Sequence, residues 1–121
     1  MLNQSFLVGR LVRKPELRET EKGKRMCFLS LAVPRSFKNM SGEYDADFID
    51  CVLWDQIASV TVEHCDKGDL ICVKGRIQSR IIEEEDSKHS KLEIIAEKVS
   101  FLTSKEEKAA KKARKEEKKQ G

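Results

Sequence analysis

Three aromatic residues sit where a core would not place them. The segment Asp47-Phe48-Ile49-Asp50-Cys51-Val52-Leu53-Trp54 alternates in character. Ile49, Cys51 and Leu53 fall on one side of an extended chain, and Phe48, Asp50, Val52 and Trp54 on the other. The first set is apolar throughout and suits a core. The second carries the single Trp of the chain and one of its five Phe, six residues apart on one face. Phe37 lies between Arg35 and Lys38, just past the expected end of another strand. Aromatic planes beside cations can stack on flat groups while the cations hold anions. Unstacked nucleic-acid bases joined by phosphates offer both. Two other readings stay open on these residues alone. Phe48 and Trp54 could fill a second apolar layer or a subunit interface, and Phe37 could fold back as a rim plug.

The cations expected around this platform are Arg10, Arg35, Lys38, Lys74, Arg76 and Arg80. A stacked base contributes about 1–3 kcal/mol. Each neutralised phosphate adds about −0.7 to the log–log salt slope for a single strand. Neither contribution reads sequence, so binding should tolerate any sequence. Asp50 sits between two of the aromatics and would repel phosphate. It can face a base edge, pair with a nearby Arg, or weaken binding.

No catalytic constellation competes with this reading. The chain contains no phosphate-binding Gly-rich loop of the P-loop type, no G-x-S-x-G and no H-E-x-x-H. His64 and His89 are the only histidines, and neither has an evident nucleophile. An enzyme is not expected, and no cofactor is implied. Four cysteines (Cys27, Cys51, Cys65, Cys72) are widely spaced with no C-x-x-C. They read as small core hydrophobes in a reducing compartment. The acidic run Glu83-Glu84-Glu85-Asp86 lacks calcium-loop spacing and reads as a solvated loop, with no metal expected.

At 121 residues the chain is long enough for one domain. Its net charge of +3 hides an asymmetry. Residues 1–40 hold nine Lys/Arg against three Glu; residues 41–104 hold seven Lys/Arg against fourteen Asp/Glu; residues 105–121 hold eight Lys/Arg against four Glu. A polyanionic partner is permitted by this pattern rather than demanded by it. There is no apolar run of membrane-spanning length and no signal-peptide pattern at the start, so no membrane association and a cytoplasmic protein are expected.

Five strands are expected to position these residues. The first runs over Ser5–Val12, with Gly9 marking a bulge or a close backbone approach. Arg25–Val33 is the second, with Phe28, Ser30 and Ala32 opposite the core face. Asp47–Trp54 is the third. Asp55–Cys65 shows a helical stripe of Ala58, Thr61, Val62 and Cys65, with Asp55 as N-cap and Gly68 as the stop. Leu70–Ile82 is the fourth strand, with Ile71, Val73, Ile77 and Ile81 on one face and Gly75 permitting curvature. A charged loop over residues 83–90 leads to Lys91–Leu102, the fifth. The fold class is all-β: five curved antiparallel strands with one short helix between strands 3 and 4, an OB-fold barrel over residues 1–104. Residues 105–121 form a Lys/Glu/Ala-rich tail, disordered or a nascent helix, with a capping box at Ser104 to Glu107 and no apolar stripe. Its excess of cations predicts added non-specific nucleic-acid affinity, or else a solubility role.

Across residues 1 to about 102 the chain resembles the bacterial and phage single-stranded DNA-binding protein (SSB) family. The resemblance rests on Leu7-Val8-Gly9-Arg10-Leu11, Pro15-Glu16-Leu17-Arg18, Leu31-Ala32-Val33, Asp47-Phe48-Ile49 with Cys51-Val52-Leu53-Trp54, Lys67-Gly68, and Gly75-Arg76-Ile77-Gln78-Ser79-Arg80. It implies an OB fold, sequence-tolerant binding of single-stranded DNA in replication, recombination and repair, and a homotetramer. The family's stacking aromatics correspond to Phe37, Phe48 and Trp54. A fourth aromatic common in the family corresponds to Ile82. The sequence ends Glu116-Glu117-Lys118-Lys119-Gln120-Gly121, without an acidic Phe-terminated tip, so recruitment of repair proteins by such a tip is not expected. Two rivals remain. An SSB-like interaction module would bind DNA weakly. An RNA-binding OB domain would prefer RNA in competition with DNA of equal sequence.

Overall fold

The computed structural model describes residues 1–120. In chain order it holds β1 (Ser5–Leu11), β2 (Arg18–Glu19), β3 (Arg25–Lys38), β4 (Tyr44–Trp54), α1 (Asp55–His64), β5 (Leu70–Glu84), β6 (Ser87–Phe101) and α2 (Lys105–Gln120). The five long strands close on themselves. Neighbours run β1-β5-β6-β4-β3, and β1 returns to β3 through Arg10↔Ala32 and Leu11↔Leu31. The two-residue β2 only extends the edge of β3. This is the expected five-stranded OB barrel, with α1 between the third and fourth long strands.

The strands are not all antiparallel. β4 and β6 pair in parallel at Cys51↔Ile94 and Val52↔Ile95. An odd number of strands cannot close into a ring by antiparallel pairs alone, so one parallel pair is required.

Alternation fills the barrel. Cys27, Leu29 and Leu31 of β3 meet Cys51 and Leu53 of β4, Ile71 and Val73 of β5, and Ile94 and Ala96 of β6. α1 plugs the barrel with Ala58 and Thr61, and Cys65 just beyond it joins the same core. Two glycines sit where backbones nearly touch. A Cβ on Gly9 would lie 2.7 Å from the Ala32 carbonyl oxygen at the β1–β3 closure. One on Gly75 would lie 2.2 Å from the Ile95 carbonyl oxygen, where the β5–β6 register shifts. Gly75→Ala therefore forces the strands apart and is expected to cost about 1–3 kcal/mol, the range for overpacking. A thermal melt checks it, with a drop of roughly 4–8 °C per kcal/mol for a domain of this size.

Cys27, Cys51 and Cys65 are buried, and Cys72 is half-buried. Burial pushes the Cys51 thiol up to about 12 and Cys65 up to about 11, and raises Cys27. Since the thiolate is the reactive form, the native protein at pH 8 should titrate with an aromatic disulfide reagent at Cys72 alone. Four rapid equivalents would contradict this.

Several local expectations change. β3 does not stop at Val33. It continues through Pro34 to Lys38 with a register shift after Pro34, so Phe37 lies within a strand. The loop expected over 83–90 shrinks to Glu85-Asp86, because β5 and β6 pair as far as Glu84↔Ser87. Trp54, not Asp55, is the N-cap of α1, and it makes no side-chain cap bond. Asp55 is in the first turn at φ +53°, a left-handed conformation that Asp tolerates better than most residues. Its charge still meets the positive end of the helix. α1 ends at His64, and Gly68 (φ +87°) serves the following turn. Ile77 and Ile81 share the face of Ile71 and Val73 but lie beyond the barrel and stay exposed.

α2 begins as its capping box predicts: the Glu107 backbone N–H donates to Ser104 Oγ at 3.0 Å. Lys108 ties its first turn to the barrel. Its Nζ lies 2.7 Å from Asp69 Oδ2 and donates to the His64 carbonyl at the end of α1. Among the described residues no helix is long and apolar enough to cross a membrane.

Candidate nucleic-acid interface

The outer face of β3 and β4 is built by register. Ala32 pairs with Phe48, Ser30 with Asp50, Phe28 with Val52, and Met26 with Trp54. Each pair points away from the core because its neighbours (Leu31, Leu29, Cys27; Ile49, Cys51, Leu53) point into it. Phe48 is 70% exposed and Phe37 73% exposed. Trp54 is 37% exposed, with part of its ring packed down. At about 3.3 Å per residue, Phe48 and Trp54 stand roughly 20 Å apart along one strand. Val52 between them is buried, although it faces outward. It lies in a row Phe28–Val52–Ile95–Arg76 that crosses β3, β4, β6 and β5.

Two further aromatics belong to this surface. Tyr44 is exposed near the hairpin tip, and the alternation of β4 places it on the side of Phe48. Lys38 Nζ lies 5.8 Å from its ring centroid. Extending the period-2 pattern back four residues from Phe48 would have found it. Phe28 was on the expected outer face, but its place opposite Val52 depends on a register that one strand cannot reveal.

The six expected cations divide. Arg76 ends the outer row and makes no ion pair among the described residues. Lys38 stays at the tip beside Tyr44. Arg35 is tied to Asp47: Nε and Nη2 both donate to Asp47 Oδ1, at 3.1 and 2.9 Å. That hydrogen bond holds the Asp47 carboxyl below its usual range. Arg80 Nε lies 3.3 Å from Glu93 Oε1. Arg10 Nη1 donates to the Gly68 carbonyl at 3.0 Å, bracing the turn after α1. Lys74 lies over Phe6, its Nζ 5.9 Å from the ring centroid, on the β1–β5 side of the barrel. Ile82 is half-buried and pairs with His89 on the hairpin arm.

Asp50 has a partner, Lys91 of β6, with Nζ 2.7 Å from Oδ2. The parallel register sets Asp50 beside Glu93, so Lys91 and Arg80 neutralise two adjacent carboxylates. Arg80 and Lys91 are themselves cross-strand partners. The platform is thus interrupted by a compact neutral quartet rather than by a bare anion. Asp50→Asn removes one of these anions and frees Lys91. We expect a few-fold tighter binding of a single-stranded oligonucleotide at low salt. The log–log salt slope should steepen by about 0.7, the value for one more neutralised phosphate. An unchanged slope would place Lys91 outside the phosphate path.

Comparison with known proteins points to one family. A model of the "Single-strand binding protein family" matches residues 2–102. The chain is 46% identical over 112 residues to "Single-stranded DNA-binding protein B" of Bacillus subtilis, covering 91% of this chain and 99% of that one. It is 44% identical over 103 residues to "Single-stranded DNA-binding protein" of Bacillus cereus, covering 84% of this chain but 61% of the other. Among solved structures it is similar to the Plasmodium falciparum SSB in complex with ssDNA. The TM-score is 0.74 and the identity 25%, over 84% of this chain and 96% of that one. A deletion mutant of the single-stranded DNA binding protein from Thermus aquaticus matches with a TM-score of 0.71 and 31% identity, over 86% of this chain and 52% of the other.

Proposed function

The chain belongs to the single-strand binding protein family, and from that premise we propose that it binds and protects single-stranded DNA without regard to sequence, in replication, recombination and repair. The observation that carries this reading is the pair of exposed rings, Phe48 and Trp54, on one outer strand face. Bases stack on Phe37, Phe48 and Trp54. Arg76 and Lys38 are best placed to meet phosphates. Arg10, Arg35 and Arg80 contribute where the strand passes them, but each already has a hydrogen-bond or ion-pair partner within the protein. Lys74 contributes from the β1–β5 side, over the Phe6 ring as Lys38 is over Tyr44. No step in this function calls for a catalytic group or a cofactor.

Residues 1–104 are the binding unit. The tail from residue 105 adds non-specific affinity through its cations, less Lys108, which is held by Asp69. Removing residues 105–121 without any change in affinity or salt slope would refute that role. The protein works in the cytoplasm as a homotetramer. Phe6 and Val8 on β1, with Ile77, Ile81 and Leu92 on the β5–β6 arm, are apolar and exposed in a single copy. Most of the outer edge of β1 is also unpaired, since only Arg10 and Leu11 meet β3. Such edges invite another strand. Sedimentation of a monomer at micromolar concentration would overturn the tetramer.

Quenching of Trp54 fluorescence by poly(dT), at low and high salt, tests the binding function. Saturable quenching that weakens with salt is expected. No binding by any method at low salt would leave the interaction-module reading in its place.

A further inference from the structure

We propose that a second nucleotide site adjoins the Trp54 platform, built from Phe28 and Arg18 and flanked by Arg13 and Lys14, and that it takes a base and a phosphate of the same single strand. The inference rests on the DNA-binding reading above and says where the strand runs beyond Trp54.

Register brings the parts together. Arg18 of β2 pairs with Met26 of β3, and Met26 pairs with Trp54 of β4. Arg18 is therefore two strand spacings from Trp54 on one row, roughly 10 Å. Phe28 is the next outward residue of β3 after Met26. The Arg18 guanidinium carbon lies 5.9 Å from the centroid of the Phe28 ring. A cavity of about 400 Å³ opens here, lined by Arg13, Lys14, Glu16, Arg18 and Phe28. Three cations thus face one carboxylate. All four charged residues are exposed, and none makes an ion pair among the described residues.

The chemistry selects the occupant. A guanidinium plane beside an aromatic ring offers two flat surfaces to a base. Arg13 and Lys14 supply the charge for the adjoining phosphates. An acidic peptide would satisfy the cations but would leave the ring unused. A single strand uses both, and it can reach them from Trp54 without leaving the outer face. The short β2 matters for the same reason: its pairing to β3 sets Arg18 beside the row instead of leaving it on a free loop.

The full chain should be photo-crosslinked to an oligomer carrying 5-bromouracil, and the tryptic peptides mapped. Crosslinks are expected within residues 26–35, which contain Phe28, as well as at Trp54. In parallel, Phe28→Leu should weaken oligomer binding by roughly fivefold or more. Arg18→Gln with Lys14→Gln should make the salt slope shallower by about 0.7 for each phosphate that is no longer neutralised. Trp54 should still be quenched at saturation in each variant, and circular dichroism should show an unchanged fold. Crosslinks confined to Trp54, with affinity and slope unchanged while Trp54 still quenches, would overturn this site and leave the binding function intact. A wild-type protein that neither binds nor quenches would overturn the function and this site together.

Discussion

Phe48→Ala weakens binding of a poly(dT) oligomer by roughly 5- to 150-fold, the equivalent of about 1–3 kcal/mol for one base that no longer stacks. The side chain is largely exposed, so its loss should shift stability by no more than about 0.5 kcal/mol. Phe48→Tyr keeps the aromatic plane and should bind nearly as wild type. The rival role for this ring is in a subunit interface. In that case Phe48→Ala would change the sedimentation of the free protein and leave the affinity per site alone. Trp54→Ala should lose affinity in the same range but also stability, since Trp54 is partly packed and starts α1. Isotherms and melts on the three variants separate these contributions. Intact affinity with an intact fold in Phe48→Ala would remove stacking on β4 from the mechanism.

Arg80→Ala is expected to damage stability more than binding. Glu93 is only 5% exposed, and Arg80 is its sole ion-pair partner among the described residues. Removing one partner of a buried pair leaves a desolvated charge and costs about 3–5 kcal/mol. Arg80 itself is half-exposed, and water can enter where it was, so about 3 kcal/mol is the expected loss. Glu93→Gln in the Arg80→Ala background removes the stranded charge and should restore much of that stability. A double-mutant cycle by denaturant melting isolates the coupling. If the single variant melts like wild type but loses affinity, Arg80 belongs to the phosphate path, as its alternation along the strand implies.

Arg80 marks where reading one strand at a time runs out. It alternates onto the same side as Arg76, and on that pattern the two are equivalent. Glu93 lies thirteen residues further on. Only the β5–β6 pairing sets it beside Arg80, and only the parallel β4–β6 pairing brings Asp50 and Lys91 into the same quartet. Arg35 is engaged by Asp47 in the same way, through a cross-strand neighbour. Cys51 and Leu53, by contrast, are legible as core from their own segment. So are Phe48 and Trp54 as outward rings. Their surroundings follow from period-2 geometry, which is local.

The sequence by itself determined the strand periodicity, the single helical stripe and the outward aromatics, because each depends on neighbours a few residues away. It flagged Gly9 and Gly75, but the backbones they meet, at Ala32 and Ile95, came only with the strand pairing. Tertiary structure decided the parallel pair that an odd-stranded ring must contain, the run of β3 through Pro34, and the exposure of Ile77 and Ile81. It also decided which cations are already engaged and where Arg18 and Phe28 meet. These depend on which strand lies beside which and in what register. Register is a property of pairs, set by closure of the barrel and not by any one segment.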